Sequence, residues 1–136
     1  MAALNALRLG QMLDDETLRA TGEKTIQAFS EQLHTVPSAM PQILVGLDFA
    51  LAKPKQFVFA GAPLELHPLL QEFHAHFIPN KVILFADGGE GQQWLGQRLD
   101  FIKTAIPVNR KPTAYICEDF ACRTPLSTAE DLRRML

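Results

Sequence analysis

Over the first third of the chain, apolar side chains return at helical spacing. In MAALNALRLGQML the residues Leu4, Leu7, Leu9, Met12 and Leu13 keep one broad face, and the DDE that follows is a break with acidic residues suited to a new helix start. A second helix is expected from Asp15 to Leu33, with Leu18, Ile26, Ala28, Phe29 and Leu33 on one side and Arg19, Glu23, Lys24, Gln27 and Glu31 on the other. HTVPSAMPQ punctuates the chain; Ser38 is placed to cap a third helix, with Pro41 tolerated in its first turn. That helix differs from the others. QILVGLDFAL carries Ile43, Leu44, Val45, Leu47, Phe49 and Leu51 and leaves almost no polar side, so it must be covered all round.

At Lys53 and Pro54 the periodicity changes. QFVFAG is a short apolar run ended by glycine, and APLELHPLLQEFHAHF returns to helical spacing through Leu66, Leu69, Leu70, Phe73 and Phe77. KVILFADGG repeats the apolar run and its turn; a further helix over about Gln92 to Thr104 carries Trp94, Leu95, Leu99, Phe101 and Ile102; TAYIC is the third run. Strands near Gln56–Ala60, Lys81–Ala86 and Thr113–Cys117, separated by helices at about 65–78 and 92–104, predict one three-stranded parallel sheet with right-handed crossovers. In STAEDLRRML, Ser127 with Glu130 three residues on reads as a capping box opening a final helix. The expected fold is α/β: three helices over residues 1–52, then a βαβαβα unit over 53–136.

Parallel strands share one carboxyl edge, where open α/β sheets bind ligands. Three turns are expected to meet there: AGAP with Gly61, ADGGEG with Asp87 and Gly88, and CEDFAC with Cys117, Glu118, Asp119 and Cys122. DGGEG allows backbone amides to approach an anion, yet it matches neither GxGxxG nor GxxxxGK[ST], and a flexible connection is the preferred reading. The three acids are expected to act as turn and solvation residues, with acid/base work the alternative. No nucleophile and base pair is legible, so no catalytic residue is assigned.

The chain's two cysteines invite three readings: a metal clip, a redox pair, or two small apolar side chains. Zinc normally needs four ligands and the spacing is not CxxC, so no metal or other cofactor is expected. His74 and His76 stand two apart on a helix and face different directions; His67 precedes Pro68 at a helix start, and His34 sits at a helix end favourable to a cation. A disulfide needs Cα atoms about 4.4–6.8 Å apart, which the EDFA turn permits without requiring it. With no export signal read at the amino terminus, the expectation is a cytoplasmic setting and a pair of reduced, slowly reacting thiols that pack the last loop onto the sheet.

Composition narrows the partners. The 136 residues are 47% apolar and 21% charged, which fits a domain that buries its own core. A net charge of −2 with scattered basic residues argues against nucleic acid, and no segment suits a membrane span. The apolar third helix predicts a protein partner or self-association through the first three helices.

NALRL, PSAMPQILVGLDFAL, FIPNKVILFADG and above all KPTAYICEDFACRTPLSTAEDL resemble the carboxyl-terminal portion of the bacterial YyaL-like proteins, relatives of the thioredoxin-domain spermatogenesis-associated proteins. The resemblance spans nearly the whole chain. It implies that residues 1–52 are the last helices of an α/α toroid akin to six-hairpin glycosidases, and 53–136 a small α/β tail. It also implies that the thioredoxin-like active site and most of the toroid lie outside this sequence. Of three functions that remain, the preferred one is a non-catalytic structural or docking part; the alternatives are a dithiol module working with a thioredoxin-like partner and a small-molecule binder at the sheet's carboxyl edge.

Overall fold

The computed structural model describes every residue except Lys53, Asp119 and Phe120, and the chain divides into two compact units, Met1–Pro54 and Lys55–Leu136. In the first, α1 (Ala2–Leu13) buries Ala3, Leu4 and Leu7. It ends at Asp14, whose left-handed φ of 52° turns the chain; Asp15 then caps α2 (Glu16–Ala28) by accepting from the Leu18 N–H at 3.0 Å. The two helices pack closely because residue 22 is glycine. A Cβ there would meet Leu7 Cγ at 2.6 Å and the Ala3 carbonyl oxygen at 2.9 Å.

The expected helix from Asp15 to Leu33 is in fact two, divided at Phe29, with α3 (Ser30–Thr35) following. Between Gln27 and Ala39 no residue is buried, so no core contact holds the amphipathic face in one continuous helix. Ser38 caps nothing. It lies in a 3₁₀ turn, Pro37–Ala39, and α4 (Pro41–Leu51) starts at Pro41 without a side-chain cap. Within α4 only Gly46 and Phe49 are buried; Gly46 faces Ile26 and Leu4, and the Arg8 guanidinium stands 5.9 Å from the Phe49 ring centre. Leu44, Val45 and Leu51 are exposed, so α4 is covered on one side rather than all round.

The second unit runs β1 (Lys55–Ala60), α5 (His67–His74), β2 (Lys81–Ala86), α6 (Glu90–Gly96), α7 (Asp100–Thr104), β3 (Thr113–Glu118), β4 (Ala121–Cys122) and α8 (Ala129–Met135). The sheet order is β2-β1-β3-β4. β1 and β2 are parallel, Lys55 opposite Lys81 and Ala60 opposite Ala86, with α5 as their crossover, shorter than the expected 65–78. β3 is antiparallel to β1, and β4 to β3. The sheet is therefore mixed and four-stranded, not three-stranded and parallel.

The reason lies between β2 and β3. The expected crossover helix over 92–104 is broken at Gln97–Leu99 into a helical hairpin: the Gln92 Nε2 amide donates to the carbonyls of Ile102 and Ala105 at 2.9 and 3.0 Å, and a Cβ on Gly96 would meet the Lys103 side chain at 2.9 Å. The chain goes out and comes back instead of crossing. A tight turn with Asn109 and Arg110 both at positive φ, 52° and 59°, then closes a Val108–Lys111 bridge and delivers Thr113 opposite Ala60. β3 has to run down the sheet from there.

Alternation along the strands sets two faces. Phe57, Phe59, Ala114 and Ile116 are buried on one face against Leu66, Leu69 and Phe73 of the α5 region and Leu132 of α8. Phe73 stands 4.7 Å from Phe57 and 5.4 Å from Phe59 between ring centres. α8 is capped by Thr128, whose Oγ1 accepts from the Asp131 N–H at 3.1 Å, one residue beyond the expected cap at Ser127. An ion pair links the same two helices, Arg133 donating twice to the Glu72 carboxylate at 2.8 and 2.7 Å. The hydrogen bond from Arg133 holds the Glu72 carboxyl below its ordinary pKa despite partial desolvation, helped by the charges of Arg133 and His76.

Candidate functional site

The antiparallel β3 separates residues expected to share one edge. Gly61, Asp87 and Gly88 stay together at the carboxyl ends of β1 and β2, whereas Cys117 pairs with Gln56 at the far end of β1, with Glu118 beside it. Asp119 lies outside the described residues. The structure thus offers two places for chemistry, one at each end of the sheet.

At the carboxyl edge a cleft of about 460 Å³ is lined by Gly61, Asp87, Gly88, Gln92, Lys103 and Ile106, among others. Gly61 (φ 141°) and Gly88 (φ 80°) both occupy backbone conformations that glycine tolerates. As a phosphate cradle the turn is already occupied by its own side chains. The Gly88 N–H donates to Gln92 Oε1 at 2.7 Å and the Gly89 N–H to Asp87 Oδ1 at 2.9 Å. Lys103 donates to Asp100 at 2.9 Å. Behind the cleft, buried Thr113 accepts from the Val108 N–H at 3.0 Å and donates to the Lys111 carbonyl at 2.8 Å, fixing the turn to the start of β3. Gln92 and Thr113 were not singled out in the sequence, and nothing in their local pattern separates them from ordinary helix and strand residues.

At the other end Cys117 and Cys122 are joined by a disulfide, S–S 2.01 Å, directly opposite one another on β3 and β4; their Cα–Cα distance of 3.9 Å is shorter than the expected range of about 4.4–6.8 Å. The expected pair of reduced thiols is corrected accordingly. The strand β4 was not anticipated, and it brings the second sulfur onto the sheet: Ala121 pairs with Glu118, and Cys122 comes into register with Cys117. Cys117 is fully buried, whereas Cys122 is exposed. Beside the bridge, Val58, Phe101, Thr104, Ala105, Tyr115 and Cys122 line a cleft of about 110 Å³. Glu118 is matched by Lys55 at 3.5 Å and by Arg123, which donates to both carboxylate oxygens at 3.1 and 3.2 Å. Desolvation pushes the Glu118 carboxyl up, but the hydrogen bond and charge of Arg123, with the charge of Lys55, outweigh it and leave the pKa below the ordinary value.

Together these features define a mixed α/β unit with a cleft at one end and a disulfide-closed strand pair at the other, on a chain that also carries a helical unit. The chain is similar to spermatogenesis-associated protein 20 of Homo sapiens, 34% identical over 113 residues (82% of this chain, 14% of the relative), and of Rattus norvegicus, 33% identical over 138 residues (100% and 17%). An uncharacterized protein of Caenorhabditis elegans, B0495.5, is 26% identical over 99% of this chain and 18% of its own length. The chain thus spans less than a fifth of the curated relatives it matches. No family model and no solved structure matches it. Among the described residues no helix is long and apolar enough to cross a membrane.

Proposed function

We propose that this chain is a non-catalytic structural or docking module, the carboxyl-terminal part of a longer protein of the YyaL-like and spermatogenesis-associated group. The observation that carries the reading is the exposed apolar side of α4, where Val45 is 46% and Leu51 78% exposed. Helical arrays expose such faces when their neighbouring helices are taken away. Similarity covering the whole chain but only 17% of a relative supports the same view, since it leaves most of such a protein to supply those neighbours. In this reading residues 1–52 are the last helices of a toroid and 53–136 its α/β tail. The groove of about 440 Å³ lined by Ile26, Leu33, Leu47 and Leu51 is the docking surface.

Without those neighbours a second copy fills the groove. Sedimentation velocity across a concentration series tests this, with Val45→Glu plus Leu51→Glu as the comparison. The unsubstituted chain self-associates and the double variant is monomeric with the same helix content. A monomeric unsubstituted chain that binds no apolar dye at high concentration removes the reading. The cleft of about 460 Å³ supports a second reading, a small uncharged polar ligand bound between Gly61 and Gln92; a thermal-shift screen of such compounds addresses it.

A further inference from the structure

The disulfide treats its two sulfurs unequally. Cys117 belongs to β3, between two strands, and is wholly inaccessible; Cys122 belongs to a two-residue edge strand and is exposed above the small cleft formed with Phe101, Thr104 and Tyr115. Thiol–disulfide exchange requires a thiolate to reach one sulfur, and access decides which. The bridge also closes a short loop, with a sequence separation of 5, so it removes little chain entropy from the open form and resists reduction less than a long-range bridge. Exposed disulfides are, as a class, the labile ones. Reduction need not dismantle the sheet at this point: the Arg123 N–H still donates to the Ile116 carbonyl at 2.9 Å, and Leu126 and Ala114 exchange two hydrogen bonds at 2.7 and 2.9 Å.

From these observations we propose that Cys117–Cys122 is a directional thiol–disulfide exchange site, with Cys122 the sulfur that bonds to the partner, Cys117 the resolving sulfur, and a dithiol as the reductant. The partner's thiolate attacks Cys122 Sγ. A bond forms between the partner sulfur and Cys122 as the Cys117–Cys122 bond breaks, and Cys117 leaves with the electron pair and takes up a proton. The partner's second thiol, on losing its proton, attacks its own sulfur in the mixed disulfide, and Cys122 leaves as a thiolate that is protonated. Two electrons and two protons pass to the cysteine pair, and the dithiol becomes a disulfide. In reverse, Cys122 captures an oxidant disulfide and Cys117 displaces it. The cleft beside Cys122 receives an apolar side chain next to the partner's cysteine.

This site and the helical groove share no residue, so its test is independent of the docking reading. The full chain and the variants Cys117→Ser and Cys122→Ser, all first reduced, are exposed to oxidised glutathione under native conditions and followed by intact mass. Expected is a persistent glutathione adduct on Cys117→Ser, none on Cys122→Ser until denaturant is added, and an adduct-free, bridged product from the unsubstituted chain. Equal labelling of the two variants, or a lasting adduct on the unsubstituted chain, overturns the assignment. Since either variant could fold poorly, the unsubstituted oxidised chain is also treated with dithiothreitol. Reduction with unchanged circular dichroism is expected, and reduction only in step with unfolding overturns the proposal.

Discussion

The two units differ in how they use their apolar residues. In the sheet unit Phe57, Phe59, Phe73, Leu66 and Leu132 close around one another and none is accessible beyond 1%. In the helical unit α4 turns one side inward through Gly46 and Phe49 and leaves Leu44, Val45 and Leu51 outside. Both stretches are strongly apolar in sequence, so composition does not explain the difference. Topology does: a sheet covered by α5 and α8 is closed by its own chain, whereas an apolar helix with two neighbours has a side left over. A self-sufficient unit should respond to core truncation, and an open one should tolerate change on its uncovered side.

The largest effect expected is at Phe73. Its ring meets both Phe57 and Phe59, and Phe73→Ala leaves a cavity the sheet cannot fill by sliding, at a cost of about 3–5 kcal/mol. Denaturant unfolding followed by the fluorescence of Trp94, the single tryptophan, reports this unit. The comparison breaks if that transition hardly moves.

Acid probes the same unit through Glu72. Its carboxyl pKa is lowered in the folded chain, so the Glu72–Arg133 pair contributes stability above the ordinary carboxylate pKa and loses it as the pH falls through the lower, folded value. The Trp94 transition should shift toward easier unfolding below about pH 4.5, and Glu72→Gln should flatten that dependence while leaving the neutral-pH fold intact. An unchanged acid slope in the variant would assign the dependence to other carboxylates.

Reading the sequence located most elements but not the direction of the third strand, and particular residues explain both. Apolar runs such as KVILFA mark a strand by content alone, and its observed bounds, Lys81–Ala86, agree with that expectation. Direction depends on what joins the strands. A helix over 92–104 implies a crossover, while two short helices folded back on each other imply a return, and the difference rests on a break at Gln97–Leu99 that apolar periodicity runs through without a mark. Asn109 was a usable signal for the tight turn before β3; Arg110, also at positive φ, was not, because arginine has no preference for that conformation. The error then spread to the candidate site. With β3 reversed, Cys117 and Glu118 move to the opposite end from Asp87, although each lies in or beside the predicted turn or strand. Strand β4, two residues long, is too short to have a period, so the cysteine pairing could be permitted by geometry but not read.

The smallest effect expected is at Leu51, and it is also the sharpest test of the contrast when set beside Phe49, two residues away on the same helix. Phe49 is 3% exposed and packs within the helical unit; Leu51 is 78% exposed. Removing a buried phenylalanine costs about 3–5 kcal/mol, whereas truncating a side chain already in water leaves stability within about 0.5 kcal/mol. Leucine and alanine also have similar helix propensities, so Leu51→Ala does not perturb α4 through its backbone. Thermal unfolding followed by far-ultraviolet circular dichroism, at a concentration low enough to suppress association, should therefore separate Phe49→Ala clearly from the parent chain and leave Leu51→Ala superimposed on it. Raising the concentration should then open a gap between Leu51→Ala and the parent, because association through that face stabilises only the chain that still has it. A loss at Leu51 comparable to that at Phe49 under dilute conditions would mean that the chain covers this side of α4 by itself, and the distinction between a closed unit and an open one would no longer hold.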